Sequence, residues 1–496
     1  MSPILPPELL FQIATLMQKD GTSLVPCTCV CRSWQAAFEP FVYSTLSVYS
    51  DDEHKEDGQR GMSLQNFQKL ICGDYSIRKT YIRKLEYNIL VPYEISDWIA
   101  RKDWESPENY SKDNHVRNKN DLAFQKAMVS LFQELGSWDR NSRLRLTLAI
   151  RGRRQGPAPE PYTRYSENAA EYRWDYRDGR ILSVPPYRAR FLGDMSDLLS
   201  LPCIEKLSFL DGNQIWTGAI QTIIQRCTQV VELELYLNEF VRPDHLEYIQ
   251  ARREALASLV GSIPRSLSVL LYWGYDDSPW KPAMSPLNII PSGTDGVSSN
   301  LRDLSIQLQQ LKLVHTTIAY DFLLPLDREG QPTPGSLHLN WPYLEVLEVE
   351  GIPPFLPSGE PTYHHTPEDQ SELDEIEDWE DVICDVEAGW LWPELPTEEH
   401  FHRLLISLGY AAQRMPRLKN MKIEVDSNRP FTLSFQNKGD QIILKWECFH
   451  PYRPDSRVAK AWGFDIDDVK IHPQYEDESS VIFRTWPPNR GAGEVD

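Results

Sequence analysis

Leu9, Leu10, Ile13, Leu16 and Met17 recur at steps of three and four residues, which sets them on one face of a helix. Pro6 and Pro7 open that helix, because a first turn has no use for the amide that proline lacks. Asp20-Gly21 ends it. A second helix is expected from Pro26, with Val30, Trp34, Ala37 and Phe38 on one side and Pro40 closing it. A helical pair this short buries too little apolar surface to be a robust domain. Its spare apolar positions are therefore expected to face the C-terminal neighbour or a partner.

Beyond it one template recurs: apolar, two positions, apolar, one position, apolar. It fits Ile82/Leu85/Tyr87, Ile204/Leu207/Phe209, Val230/Leu233/Leu235, Leu267/Leu270/Tyr272, Leu301/Leu304/Ile306, Leu344/Leu347/Val349 and Leu418/Met421/Ile423, and the alternating run from Leu144 to Ile150 is an eighth candidate. Alternation over the last two positions describes a short strand with one buried face. Amphipathic helices are expected from Phe124 to Leu135, over Ile220 to Cys227, and from Phe401 to Met415. Each unit reads helix, tight turn, strand, and such units bury their apolar faces only by stacking. Residues 100–120, 151–190 and 274–299 are polar or rich in Pro, Gly and Ser and read as loops. Phe431 to Phe435 and Ile442 to Trp446 flank Asn437-Lys438-Gly439-Asp440 as a hairpin, and the tail from Pro473 lacks periodicity.

The order Leu5-Pro6-x-Glu8-Leu9-Leu10-x-x-Ile13, a polar break, then Val30-Cys31-Arg32-x-Trp34 resembles the F-box. That resemblance implies docking on the Skp adaptor and, through it, on a cullin. By position it assigns Leu5, Pro6, Leu9, Leu10, Ile13, Leu24, Val30, Cys31 and Trp34 to adaptor binding or to the packing behind it. Gly21-Thr22-Ser23-Leu24 departs from the acidic, leucine-rich turn common there. The repeat resembles leucine-rich repeats in a divergent form. Leu207 to Leu233 spans 26 residues and Leu347 to Met421 spans 74, whereas regular repeats run about 20 to 29. Together these features are similar to F-box proteins of fungal type. The expected fold class is α/β: a helical F-box over residues 1–48, an irregular leucine-rich-repeat-like solenoid with a parallel sheet and long loop insertions over 62–426, and a hairpin and tail over 427–496 packing on it. A non-repeat α/β domain is the alternative.

Length and composition change this picture little: 496 residues with 41% hydrophobic content can fill large cores. Charge changes it more. The formal net charge of −21 argues against a nucleic-acid binder. Residues 78–154 are the exception, with 16 Lys and Arg against 10 Asp and Glu, and read as a solvated basic sector or one facing an acidic partner. Between Glu368 and Glu387 stand eleven Asp and Glu, with Leu373, Ile376, Trp379, Ile383 and Val386 at helical steps. This describes an acidic amphipathic helix, or a solvated or disordered acidic stretch.

Candidate chemistry is sparse. Cys27, Cys29 and Cys31 lack the second pair that structural zinc requires, and Cys27 and Cys31 would share a helical face as packing thiols. His364-His365 and His400-x-His402 lack the four-residue spacing that puts two imidazoles on one helical face. Neither a phosphate-cradling Gly-rich loop with Lys, a Gly-x-Ser-x-Gly elbow nor a His-Glu-x-x-His occurs. No catalytic residue, metal or cofactor is therefore expected. No apolar run approaches a membrane span, no signal peptide is evident, and scattered cysteines fit reduced thiols, so a cytoplasmic or nuclear location is expected.

These features point to a substrate-recognition subunit of a Skp-cullin-F-box ubiquitin ligase, with no enzymatic step of its own, no nucleic-acid partner and no membrane. An unidentified protein target would bind outward strand positions, among them Tyr236, Trp273, Gln307, Glu348 and Glu350. The alternatives are an F-box scaffold acting outside ubiquitination and an enzyme on an unrecognised scaffold.

Overall fold

The computed structural model describes residues 5–52, 60–93, 115–154, 188–196, 198–210, 214–238, 246–275, 286–290, 293–375, 393–426, 430–439, 441–448, 452–471 and 478–488. The chain is mixed α/β with parallel strand pairing dominant. It divides into two compact units, the described residues up to Leu233 and those from Glu234 onward. The division falls inside the stretch expected to be one solenoid.

The first unit opens with α1 (Pro7–Lys19), a 3-10 turn (Val25–Cys29) and α2 (Arg32–Val42). Leu10, Ala14, Leu24, Ala37 and Phe38 form their buried core, with Ile13, Met17, Cys27 and Trp34 packed against it. Two expectations are corrected. The second helix does not run from Pro26: Cys31 is extended, at φ −165° and ψ 171°, so Val30 and the three cysteines lie before the helix rather than along it. Pro40 does not close α2 either. It sits in the last turn, where it withholds one i→i−4 bond, but the helix runs on to Val42 and Tyr43 still donates to the Glu39 carbonyl.

The chain then enters β1 (Thr45–Tyr49), β2 (Met62–Ser63), α3 (Leu64–Ile71), β3 (Lys84–Tyr93), α4 (His115–Leu135), β4 (Leu144–Arg154), β5 (Ile204–Phe209) and α5 (Thr217–Arg226). Sheet order is β2-β1-β3-β4-β5, every pair parallel. Leu85, Tyr87 and Ile89 of β3, Leu144, Leu146 and Leu148 of β4, and Leu207 and Phe209 of β5 are buried. Such rows follow from the pleat, which sends alternate side chains to one face. The Tyr87 hydroxyl donates to the Ala127 carbonyl of α4 at 3.0 Å and ties helix to strand.

A buried ion pair fastens the opening helices to this sheet. Arg78, in the 3-10 stretch Gly73–Thr80, donates to Glu39 of α2 at 2.6 Å, with both side chains about nine-tenths buried. Its guanidinium lies between the Tyr43 and Tyr75 rings, at 4.8 and 4.2 Å from their centroids. Burial works against the Arg78 charge, but the Glu39 hydrogen bond and the surrounding groups hold its pKa above the usual arginine value.

The division falls within β6 (Glu232–Asn238). The second unit contains α6 (Leu246–Gly261), β7 (Val269–Tyr275), α7 (Gly296–Ser305), β8 (Gln310–Val314), β9 (Val346–Ile352), the short pair β10 (Tyr363–His364) and β11 (Leu395–Pro396) with α8 (Pro367–Asp374) between them, α9 (Glu398–Ala412), β12 (Asn420–Val425), β13 (Phe431–Asn437), β14 (Ile442–Glu447), α10 (Ser456–Trp462), β15 (Lys470–Ile471) and β16 (Glu478–Phe483). Strands β7-β8-β9-β12 are parallel, and β12-β13-β14-β16-β15 continue antiparallel. The expected hairpin is β13–β14. The tail is corrected: β16 pairs with β14 along its whole length, and its Val481 and Phe483 are buried.

The template at Leu301/Leu304/Ile306 is also corrected, because it lies on α7 and its end, and the strand follows as β8. Spacing of three is helical as well as part of the template, and Leu308/Leu311/Leu313, fully buried, is the match that forms the strand. The expected loops lie largely outside the described residues, as does the acidic stretch beyond Glu375. Its start, α8, is described, and it is mostly exposed, with Leu373 half-buried.

Arg253 of α6 makes a two-pronged contact with Asp295, at 3.1 and 2.8 Å, and donates to the Thr317 carbonyl at 2.8 Å. Asp295 also caps α7 through the Val297 and Ser298 amides. Burial would raise its carboxyl, but the Arg253 charge and these hydrogen bonds outweigh burial and hold it below the usual carboxylate range.

Two outcomes are expected. Arg78→Ala leaves Glu39 buried without its cation and should cost about 3–5 kcal/mol in urea unfolding, with Arg78→Met/Glu39→Met recovering most of it. For Asp295, a depressed folded-state pKa contributes stability above the unfolded value, roughly pH 4, and loses it as pH falls through the folded value. The melting temperature of the Asp295→Asn variant should therefore fall less steeply than wild type on acidification below about pH 4.

Candidate functional site

The surface of the opening helices follows from how α1 spends its apolar residues. Leu10 and Ala14, four apart, face inward with Met17, whereas Leu9 and Leu16, seven apart, lie together on a flank about 100° round the helix and are 44% and 61% exposed. Leu5 before the helix, Val25 in the 3-10 turn and Val30 after it are exposed too. A soluble module does not leave this many large apolar side chains on two short helices without use for them.

The residues assigned from sequence divide accordingly. Leu5, Pro6, Leu9, Val30 and Cys31 are exposed. Leu10 and Leu24 are core, 1% and 7% exposed, so in this structure they support the surface rather than form it. Ile13 and Trp34 are half-buried, Trp34 stacking on Phe38 at 5.1 Å and 7°. Sequence reasoning passed over Phe11, exposed and tilted against Phe41 at 4.7 Å, and Val25. Both lie off the apolar stripe, and only the chain path after Gly21 brings Val25 to the surface.

Residues 3–48 match the F-box-like family. This F-box-like domain carries the exposed Leu5, Leu9 and Leu16. No curated protein matches the chain, and no solved structure does.

Away from the F-box-like domain, the outward positions of the second unit's strands form another candidate. Tyr236 and Trp273 stack at 6.0 Å, and Trp273 meets His315 at 6.1 Å. Below them the charges alternate across strands. Lys312 pairs with Glu348 at 2.9 Å and with Glu350 at 3.5 Å, and Lys422 with Glu350 at 3.3 Å and Glu424 at 3.1 Å. Glu348 and Glu350 thus stand where alternation put them, already neutralised. Gln307 does not: it follows α7 and donates to the Pro264 carbonyl at 3.1 Å. Ser305, at the end of α7, is buried and accepts from the Trp341 indole at 2.7 Å. His315 and Lys312 were missed because the strand lay seven residues later than expected.

A cavity of about 270 Å³ in the same unit is lined by Asp295, Tyr320, Asp321, Ser358, His400 and Arg403. Its polar groups are committed to one another or to neighbours: Asp295 to Arg253, Asp321 to Arg403 at 3.3 Å, His400 to Glu360 at 3.2 Å, and Tyr320 to Thr362 at 2.8 Å. His364 bonds Thr397 at 2.9 Å, and His402 packs on Tyr452. Burial pushes the Cys203 thiol up to about 11 and Cys227 higher still, so neither is a thiolate at neutral pH. Among the described residues no group of three His, Cys, Asp or Glu could hold a metal ion, and no helix is long and apolar enough to cross a membrane.

Proposed function

We propose that the chain is the substrate-recognition subunit of a Skp-cullin-F-box ubiquitin ligase. The observation that carries this reading is the exposed apolar surface of Leu5, Leu9, Leu16, Val25 and Val30 on the F-box-like domain, since F-box domains generally bind Skp adaptors. The chemistry of ubiquitin transfer belongs to other subunits. This chain contributes proximity: tethering a target beside the charged carrier raises its effective concentration without a catalytic group here.

Affinity purification tests the first half. Leu9→Asp/Val30→Asp places two charges on exposed positions, so the fold should persist with an unchanged melting temperature while adaptor and cullin disappear from the eluate. A variant that retains the adaptor refutes docking through this surface. Adaptor without cullin on the intact chain would favour the scaffold reading.

The target-binding surface is assigned to the Tyr236–Trp273–His315 row and the flanking charges. An exposed Trp is the side chain most worth burying against a partner. Trp273→Ala should weaken capture of the target by about tenfold or more, roughly 1.5–2 kcal/mol or above, with adaptor recovery unchanged. Undiminished target recovery, read by quantitative mass spectrometry of the same eluates, counts against that face.

A further inference from the structure

The basic sector of the sequence converges on one cleft. Arg83, Lys84, Arg143, Arg145 and Glu205, with Ser44 and Thr45, line a cavity of about 430 Å³ at the N-terminal ends of β1, β3, β4 and β5. Four cations face one carboxylate there, in a chain whose net charge is −21.

The register makes this arrangement costly. Lys84 stands directly opposite Arg145, and Arg145 opposite Lys206, all on the face turned away from the buried leucines. Lys206 has Glu232 at 3.2 Å and Arg143 has Glu205 at 3.6 Å. Among the described residues Lys84 and Arg145 have no carboxylate partner. Like charges directly opposite on neighbouring strands destabilise a sheet. The second unit shows the relieved alternative, where Lys312 and Lys422 both stand in register with Glu348. Arg143 adds a second cost, since it holds a left-handed backbone at φ +46° while its side chain lines the cleft.

We propose that this cleft binds an acidic protein segment, an extended stretch with Asp or Glu at alternate positions. Carboxylates at i and i+2 of such a stretch lie about 7 Å apart, and cations on adjacent or next-adjacent strands lie about 5–10 Å apart. Arginine forks take carboxylates in two-pronged contacts. A nucleic acid fits less well, because high-affinity binding takes many phosphate contacts and four cations supply few, while the acidic remainder of the chain repels a long polyanion.

The test uses the full chain and a fluorescein-labelled peptide of alternating Glu and Gly, with a Gln–Gly peptide as control, read by anisotropy at low and high salt. The acidic peptide should bind, the control should not, and salt should weaken binding. Lys84→Ser/Arg145→Ser should lose roughly tenfold or more in affinity. Its melting temperature should hold or rise, because the like-charge pair is gone, and its adaptor recovery should match wild type. That last measurement separates this cleft from the adaptor surface. Equal binding of the two peptides, or undiminished binding by the variant, overturns the proposal. Preference for a single-stranded oligothymidine, abolished by the same variant, overturns the assignment to a protein segment.

Discussion

Glu39 cannot stay in the interior of the first unit unless Arg78 stays with it. A carboxylate about nine-tenths buried on α2 would otherwise lose its hydration with only the neutral Gln35 amide, donating at 2.9 Å, in return. The pair therefore does more than add a contact. It couples a helical module too small for a core of its own to the sheet that follows, across two tyrosine rings that cover the guanidinium. With α2 seated this way, five residues suffice as an internal core, and the remaining leucines of α1 are left over for the outside. The exposed surface is thus a consequence of how little the module needs to hold itself together.

Much of this was legible because two periods are hard to confuse over a long run. The strands at Leu144, Ile204, Leu233 and Leu347 appear where alternation puts them, as does the helix Glu398–Ala412 where steps of three and four put it. The failures share one cause, a local pattern consistent with two answers. Leu301 and Leu304 satisfy a strand template and a helical step at once, and the Asp295 cap, which accepts from two amides, decides for the helix. Leu9 and Leu10 look alike in sequence, yet one is outside and one is core, because adjacent helical positions are about 100° apart. The strand at Glu478–Phe483 has a weaker apolar pattern and is held by pairing with β14, which no local signal reports.

The outward face of the second unit was legible in outline only. Alternation gave Glu348 and Glu350 their side of the sheet, but not their partners. Lys312 sits on a strand that had been placed elsewhere, and without it the face reads as acidic. With Lys312 and Lys422 in place the carboxylates are neutralised, and what distinguishes the surface is the aromatic row Tyr236–Trp273–His315.

The parallel strands of each unit obey the same rules of pleat and register, so the difference in their charge order carries information. In one, lysine and glutamate alternate across strands and each position has its counter-charge. In the other, Lys84, Arg145 and Lys206 stand in consecutive strands, and only the last has a carboxylate. A merely solvated face has no reason to forgo the alternation, since one Glu at position 84 or 145 would convert a repulsion into an attraction worth about 0.2–1 kcal/mol. Net charge over residues 78–154 could not distinguish these cases, because it counts cations without saying which are neighbours. Register does distinguish them, and it moves the basic sector from background to binding surface.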